Sequence, residues 1–577
     1  MKASRRQARW RHEHEGVAVR SISSLACLLA ALVLCAARPS FAQEPPVARH
    51  ARVDALFAPW TGNATPGCAV AVSRDGAVDY ARGYGMASLE YGVPITPESI
   101  FHVASISKQF TAFAMGLLEQ EGKLSRDDDI RKYLPELPDH GKKITLADLV
   151  HHTSGLREQF HLLNMAGWRG DDLMTVDDVL WVMARQRGLN FEPGTEWSYN
   201  NTGYTLLSVI IQRVAGKSLR AFAEERIFRP LGMRDTHFHD DHSEVVPRRA
   251  SAYSPRDGGG WSISVPVFDY YGSTSLFTTV GDLLKWEANL LQPRVGGQAL
   301  VDWLRTSATL KSGEATGYGA GLTLGTYQGQ RTFGHNGADA GYRSSVAVYP
   351  DSRLAVAVFC NASTAVPAEF VRKVADVYLG TRPEPVKASP LSVPEAALKD
   401  LAGVYWSAVT DQVVRLELKD GALRSVGAMT PLVPVEPGLF LVGESTEEWR
   451  FPAQAARAPR EVHVRDTASA LPARVYTRVD AKPPSALEAL AGQYHSDEVD
   501  MTFTVRVEDG KPRVRWQRQK RTVLEAVGGD RFVSDALGTV TFTRAKSGQV
   551  DGLTFGTLRA RRLRAERLPA PGKARSR

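Results

Sequence analysis

An α/β domain followed by two small all-β units is the fold class that this sequence predicts, and three observations point to it. Before residue 380 the chain reads as helices after Ser105 and from Gly203 to Ala215 and as strands at Cys68 to Val72 and Leu354 to Phe359. Beyond it the chain breaks into short alternating runs punctuated by Gly and Pro. Within that second region Leu401-Ala402-Gly403-Val404-Tyr405-Trp406-Ser407 returns as Leu490-Ala491-Gly492-Gln493-Tyr494-His495-Ser496, and Asp420-Gly421 returns as Asp509-Gly510, all at one offset of 89 residues. An offset shared by separate motifs marks a duplication.

The elements follow in order. Cys68-Ala69-Val70-Ala71-Val72 alternates and ends at Asp75-Gly76, a strand closed by a hairpin turn. A helix is expected from Ser105 through Phe110, Phe113 and Leu117 to Gly122, and another from Gly203 to Ala215, after the turn at Pro193-Gly194. Leu354 to Phe359 is a continuous apolar strand that Cys360 closes. Val413 to Leu418 and Thr502 to Val507 alternate within the two repeats, so each repeat is expected to be a small barrel or sandwich with its own core. Proline-bearing linkers, Thr381 to Pro394 and Asp480 to Pro484, separate these units, giving expected domains at 43–382, 396–479 and 485–568, with a basic tail at 569–577.

With 577 residues, 43% hydrophobic and 23% charged, the chain is long enough for several cores and has the balance of a folded, soluble protein rather than a disordered or membrane-embedded one. Residues 1–42 read as a secretory signal: the apolar stretch Ser21 to Ala37 follows Arg5, Arg6, Arg9, Arg11 and Arg20, and Ser40-Phe41-Ala42 offers a small-x-small cleavage site. The stretch is too short to span a bilayer, so no integral span is expected in the mature chain. That segment holds seven Lys/Arg and two Asp/Glu, so of the formal charge of +8 only +3 stays with the mature chain. A nucleic-acid partner is therefore not indicated. The remaining basic excess is conspicuous only at the end, in Arg559, Arg561, Arg562, Arg564, Arg567, Lys573, Arg575 and Arg577, which read as a solvated, frayed terminus.

Chemistry enters at Ser105-Ile106-Ser107-Lys108. A serine hydroxyl is a weak nucleophile until a base takes its proton, and a lysine three residues on along a helix projects from the same face. Apolar neighbours desolvate Lys108, which lowers its pKa toward that of a usable base. An S-x-x-K alone occurs by chance. Here it is followed by Tyr199-Asn200-Asn201 and by His335-Asn336-Gly337. Read singly, Tyr199 would be a core anchor and Asn201 a helix N-cap; read with Ser105, both are candidates for catalysis.

The wider text resembles the serine β-lactamase and penicillin-binding superfamily, in the branch of class C β-lactamases, D-aminopeptidases and related esterases. The resemblance runs from about Pro66 to Val377 and rests on Pro66-Gly67-Cys68, Phe101-His102-Val103-Ala104-Ser105, His152-Thr153-Ser154-Gly155-Leu156, Phe191-Glu192-Pro193-Gly194, Asn201-Thr202-Gly203-Tyr204 and Pro230-Leu231-Gly232-Met233, in the family's order. It implies an antiparallel sheet flanked by helices. It also implies acylation of Ser105, proton transfer shared by Lys108 and Tyr199, and a strand carrying His335 along the same cleft, with Gly337 keeping that strand open to substrate. The oxyanion donors it implies are the N–H groups of Ser105 and Ala338. Two added barrels are similar to the three-domain D-aminopeptidase layout.

His335 departs from the penicillin-binding pattern, which has a lysine there. A neutral imidazole attracts a substrate carboxylate far less than a permanent cation, so weight moves from β-lactams toward short amides or esters. The alternative is a β-lactamase, or a slow-turnover penicillin-binding protein that senses peptidoglycan fragments. For Cys68 and Cys360, the family's sheet would make their strands antiparallel neighbours; a disulfide and two buried free thiols are equally open. Asp339, Asp497 and Glu498 are candidates to hold a substrate amine. His237-Phe238-His239-Asp240-Asp241-His242 has a composition that zinc would accept, but it reads as a solvated loop, and neither metal nor nucleotide cofactor is expected. The expected partner is a small molecule or short peptide; the oligomeric state is not legible.

Overall fold

The computed structural model describes residues 45–380, 391–428, 430–442, 447–453, 460–466, 472–519 and 521–569. The expected signal at 1–42 and the tail from 570 lie outside the described residues, as does most of the first linker. The described residues from Arg52 onward form one compact unit.

Six strands make the central sheet: β1 (Cys68–Arg74), β2 (Ala77–Tyr84), β3 (Thr323–Tyr327), β4 (Gln330–Asp339), β5 (Tyr342–Tyr349) and β6 (Leu354–Cys360). Their order is β3-β4-β5-β6-β1-β2, with every neighbour antiparallel. Asp75 and Gly76 both take positive φ, as the tight β1–β2 hairpin requires. β1 is buried on both faces, and its alternation sorts two residue types. Ala69 and Ala71 face the larger core, where small side chains let helices approach; Val70 and Val72 face a second core with Val356, Val358, Val371 and Val374. Helices α1 (Ser107–Gln120) and α3 (Val280–Leu291) contribute to the first core, α4 (Pro367–Leu379) to the second. Cys68 and Cys360 are register partners on β1 and β6 and form a disulfide.

Two β-units follow. Eight strands from Gly403–Trp406 to Arg474–Val479 close into a barrel, which leaves no open edge. Nine strands from Gly492–Ser496 to Ala560–Arg567 make one further curved sheet. The duplication is visible in side-chain detail: Tyr405 Oη donates to Leu401 O at 2.8 Å, and Tyr494 Oη donates to Leu490 O at 2.7 Å. Arg478 lies against Gly403 as Arg567 lies against Gly492. Each pair is again 89 residues apart.

Two expectations need correction. The first barrel has its own core around Tyr405, Leu423, Phe440 and Val462. The second does not: Tyr494, Phe503, Phe542 and Phe555 belong to one cluster with the catalytic core, and Trp516 Nε1 donates across to Asn164 O at 3.4 Å. A buried ion pair between Arg157 and Glu498 crosses the same junction. Nor do Arg561 and Arg567 fray, while Lys573, Arg575 and Arg577 lie outside the described residues. Ala560–Arg567 is a strand, and Arg561 is buried and reaches Glu196, while Arg567 donates to Ala489 O and Val550 O at 3.1 Å each. Ordered partners take up the charge of these two, while Arg562 and Arg564 are exposed.

Candidate active site

Ser105 lies in a 3₁₀ turn, Ala104–Ile106, that runs directly into α1. Ala104 before it takes φ +48, a backbone conformation L-residues rarely adopt, so the turn holds strain beside the serine. The other serine of the motif has a structural task. Ser107 is fully buried; its hydroxyl donates to Ala104 O at 2.5 Å and accepts from Leu276 N at 3.0 Å.

Lys108 is also fully buried, and its Nζ is 3.0 Å from Ser105 Oγ, 2.8 Å from Asn201 Oδ1 and 2.6 Å from Ser273 O. Burial lowers its pKa to about 7, with Arg559 pushing further down and Glu158 pushing up. This geometry fixes where the lone pair of a neutral Lys108 points. A neutral amine has two N–H bonds, and two acceptors, Asn201 Oδ1 and Ser273 O, take both. What remains faces Ser105 Oγ. The Asn201 amide is in turn oriented by Glu158, whose Oε1 accepts from Asn201 Nδ2 at 3.1 Å while its Oε2 accepts from Asn201 N at 2.7 Å. Asn201 opens helix α2 (Asn201–Ala215), and the N-cap that sequence reasoning considered for it belongs to Asn200, which accepts from Gly203 N at 2.8 Å. Capping by Asn200 frees Asn201 to face the lysine.

Tyr199 presents its ring to Lys108 Nζ at 4.8 Å from the centroid. Its hydroxyl is buried and has no hydrogen-bond partner among the described residues, and burial pushes its pKa up while the nearby Ser105 hydroxyl opposes the rise. His335 on β4 is 6% exposed. Its Nδ1 donates to Asn336 O at 2.6 Å, so Nε2 is unprotonated and accepts from Tyr318 Oη at 2.9 Å. Burial, helped by Lys108, lowers its pKa to about 3, so the imidazole is neutral.

Gly337 follows, where an added Cβ would stand 2.2 Å from Val103 O and from Ser344 Oγ. The glycine is therefore required for β4 to pack against the turn that carries Ser105, a different reason from the openness to substrate expected of it. β3 pairs with β4 only as far as Gly334, so among the described residues no strand lies beside Ala338 on that side, while β5 pairs with it on the other.

Asp339 ends β4, accepting from Thr274 Oγ1 at 2.9 Å, and burial raises its pKa to about 6. His102 Nε2 is 3.9 Å from it but accepts from Ser275 N at 3.2 Å, so it carries no proton to share with that carboxylate. The other two carboxylates named as amine candidates are occupied elsewhere: Glu498 by Arg157, Arg187 N and Arg564 N, Asp497 by Arg187 and His495. In the histidine-rich segment, His237 Nε2 is 3.4 Å from His239 Nδ1, and neighbouring Glu244 is held by Arg220 at 2.6 Å.

Ser105, Lys108, Tyr199, Asn201 and His335 thus converge. Sequence reasoning missed Glu158, Ser273, Tyr318 and Arg559. Glu158 was within reach, as a charged residue two places after the run ending at Leu156; the others are brought in by tertiary folding from positions with no motif.

Comparison with known proteins gives the family. The family model described as Beta-lactamase matches residues 53–379, and a second, a domain of unknown function named DUF3471, matches 477–567. A D-aminopeptidase of Gluconobacter oxydans (strain 621H) is 28% identical over 78% of this chain and 83% of its own. One from Brucella anthropi is 26% identical over 87% of this chain and 95% of its own. Penicillin-binding protein 4* of Bacillus subtilis (strain 168) is 28% identical over 51% of this chain and 67% of its own. The octameric penicillin-binding protein homologue from Pyrococcus abyssi superposes with a TM-score of 0.53 at 24% identity, covering 75% of this chain and 98% of its own, a likeness of fold. With the beta-lactamase model matched over more than half of the chain, and a Ser105 hydroxyl facing a buried lysine of lowered pKa at the start of α1, the chain belongs to the beta-lactamase family and is a serine hydrolase.

Proposed function

We propose that this chain is a secreted hydrolase that cleaves short amides through an acyl-enzyme on Ser105, with D-configured amino-acid amides or peptides as favoured substrates and short esters as further ones. The observation that carries the mechanism is the triple coordination of Lys108 Nζ by Ser105, Asn201 and Ser273. Neutral Lys108 takes the Ser105 proton as Oγ attacks the carbonyl carbon. The oxyanion is received by the N–H groups of Ser105 and Ala338, the first in the turn before α1, where amides have no intrahelical acceptor. Tyr199, next to Lys108 and the serine, passes the proton to the leaving amine. Water then enters, gives its proton back through the same pair, and releases the acid from Ser105.

The amide and D-amino-acid parts of the reading are supported by the D-aminopeptidases of similar length. The neutral His335 supports it over the β-lactamase alternative. Secretion, with residues 1–42 as the signal, is supported by the Cys68–Cys360 disulfide, since such bonds persist in oxidising compartments. The proposed units remain 43–382, 396–479 and 485–568. Profiling the protein on D- and L-amino-acid anilides, p-nitrophenyl esters and nitrocefin tests the reading: D-anilides and esters should be turned over and Ser105→Ala should be silent. Nitrocefin turnover far above every amide and ester would replace it with the β-lactamase reading.

A further inference from the structure

Both chain neighbours of Tyr199 hang on one residue, His152. It lies two places beyond the helix Leu146–Val150, buried, with φ +61, a conformation that L-residues rarely adopt. From that turn its carbonyl and its ring both reach the segment 198–200. His152 O accepts from Ser198 N at 3.0 Å, and His152 Nδ1 accepts from Asn200 N at 3.1 Å. The imidazole also lies against the Tyr199 ring, with centroids 4.5 Å apart, and against the Tyr318 ring at 4.7 Å.

Tyr199 needs such support, because its own hydroxyl has no hydrogen-bond partner among the described residues to hold it beside Lys108. Its aim is set by the backbone on either side and by the rings packed on it. Asn200 is tied at three points: besides its N–H on His152, its Nδ2 donates to Leu156 O at 2.8 Å and its Oδ1 accepts from Gly203 N at 2.8 Å. Since Nδ1 of His152 accepts, the ring proton is on Nε2, which is buried with no acceptor among the described residues. A phenylalanine filling the same space would avoid that unpaired N–H, so packing alone does not account for an imidazole here. Burial, with Lys108 and His335 pushing the same way, holds its pKa well below the ordinary value, and the neutral ring keeps Nδ1 an acceptor.

We infer that His152 is a positioning residue that aims the Tyr199 hydroxyl for proton delivery to the leaving group, acting through Tyr199 rather than on the substrate. This rests on the hydrolase reading above, in which Tyr199 passes the proton to the leaving amine. The leaving group separates the role from general support of the fold. An anilide nitrogen has to be protonated before it departs, whereas p-nitrophenolate leaves as the anion. A misaimed Tyr199 should therefore slow anilides and spare p-nitrophenyl esters, while a loosened site slows both alike.

The test compares kcat/KM of the full chain on D-alanine p-nitroanilide and on p-nitrophenyl acetate. His152→Phe keeps a ring and removes the acceptor; it should lose at least ~10-fold on the anilide and less than ~3-fold on the ester, the pattern of a slightly misplaced proton donor. His152→Asn puts an amide oxygen where Nδ1 stands and tolerates the positive φ, so it should keep most of the anilide rate. In a Tyr199→Phe background, His152→Phe should cost nothing further. Equal losses on the two substrates, or the same anilide loss with and without Tyr199, overturn the inference. Should His152→Phe not fold, the ring ¹⁵N shifts of the wild-type chain decide: the Nε2–H tautomer is expected between about pH 5 and 9, and an Nδ1–H tautomer or an imidazolium rejects the role, because neither accepts from Asn200 N. Failure of the wild-type chain to cleave either probe would instead reject the hydrolase reading, and the tautomer would still report whether His152 holds Asn200.

Discussion

Lys108 Nζ and Ser105 Oγ stand 3.0 Å apart, with both N–H bonds of the neutral amine already claimed by Asn201 Oδ1 and Ser273 O. A proton can therefore move from Ser105 to Lys108 only when the lysine is unprotonated. Burial has lowered its pKa to about 7, so the base form is present above that pH and lost below it. Steady-state kcat/KM should rise with pH and level off above a midpoint of about 7. Lys108→Ala should fold and lose at least ~100-fold in kcat/KM, the scale of a missing general base. A rate unaffected by pH between 5 and 9 would contradict the assignment.

Tyr318 fixes the tautomer and orientation of His335 by donating to its Nε2. Tyr318→Phe should lower kcat by about 10-fold with KM little changed, because it loosens a group lining the site without removing it. The second readout is the imidazole itself. Its pKa of about 3 should climb once the donor to Nε2 is gone, visible in the ¹⁵N shifts of the ring across a pH series. A purely structural role would leave those shifts as they are.

The Arg157–Glu498 pair is buried at the junction between the catalytic domain and the second barrel, with side chains 5% and 4% exposed. Removing one partner leaves a buried charge without its counter-ion. Glu498→Ala should cost about 3–5 kcal/mol in denaturant unfolding, and deleting residues 485–577 should abolish cooperative folding of the remainder. Replacing both partners by Met should restore much of the loss.

Glu287 on α3 is fully buried, and neither carboxylate oxygen has a hydrogen-bond partner among the described residues. Burial alone raises its pKa to about 8. A carboxyl with a folded pKa above its unfolded one contributes its full stability below the unfolded value near 4.5 and loses it as pH rises through about 8. Glu287→Gln should therefore melt above the wild-type protein at pH 8, by on the order of 3 kcal/mol more than it does at pH 5. An unchanged difference between those pH values would mean the carboxyl is not protonated in the fold.

Local patterns determined much of this protein before any coordinates. Alternation in Cys68 to Val72, helical spacing after Ser105 and the offset of 89 residues between Tyr405 and Tyr494 each depend on near neighbours or on self-similarity, which a sequence displays directly. Resemblance to a known family carried Ser105, Lys108, Tyr199 and His335 into one site, because that family's motifs are short and ordered. Only the tertiary structure decided the rest. That Glu158 turns the Asn201 amide, that Gly337 is small because Val103 O lies against it, and that Arg559 reaches Tyr199 from a barrel more than 350 residues downstream are facts of packing between distant segments. The same holds for the second barrel, whose strands were legible but whose core is shared with the catalytic domain. Strand text records which residues are buried, and carries no mark of which neighbour buries them.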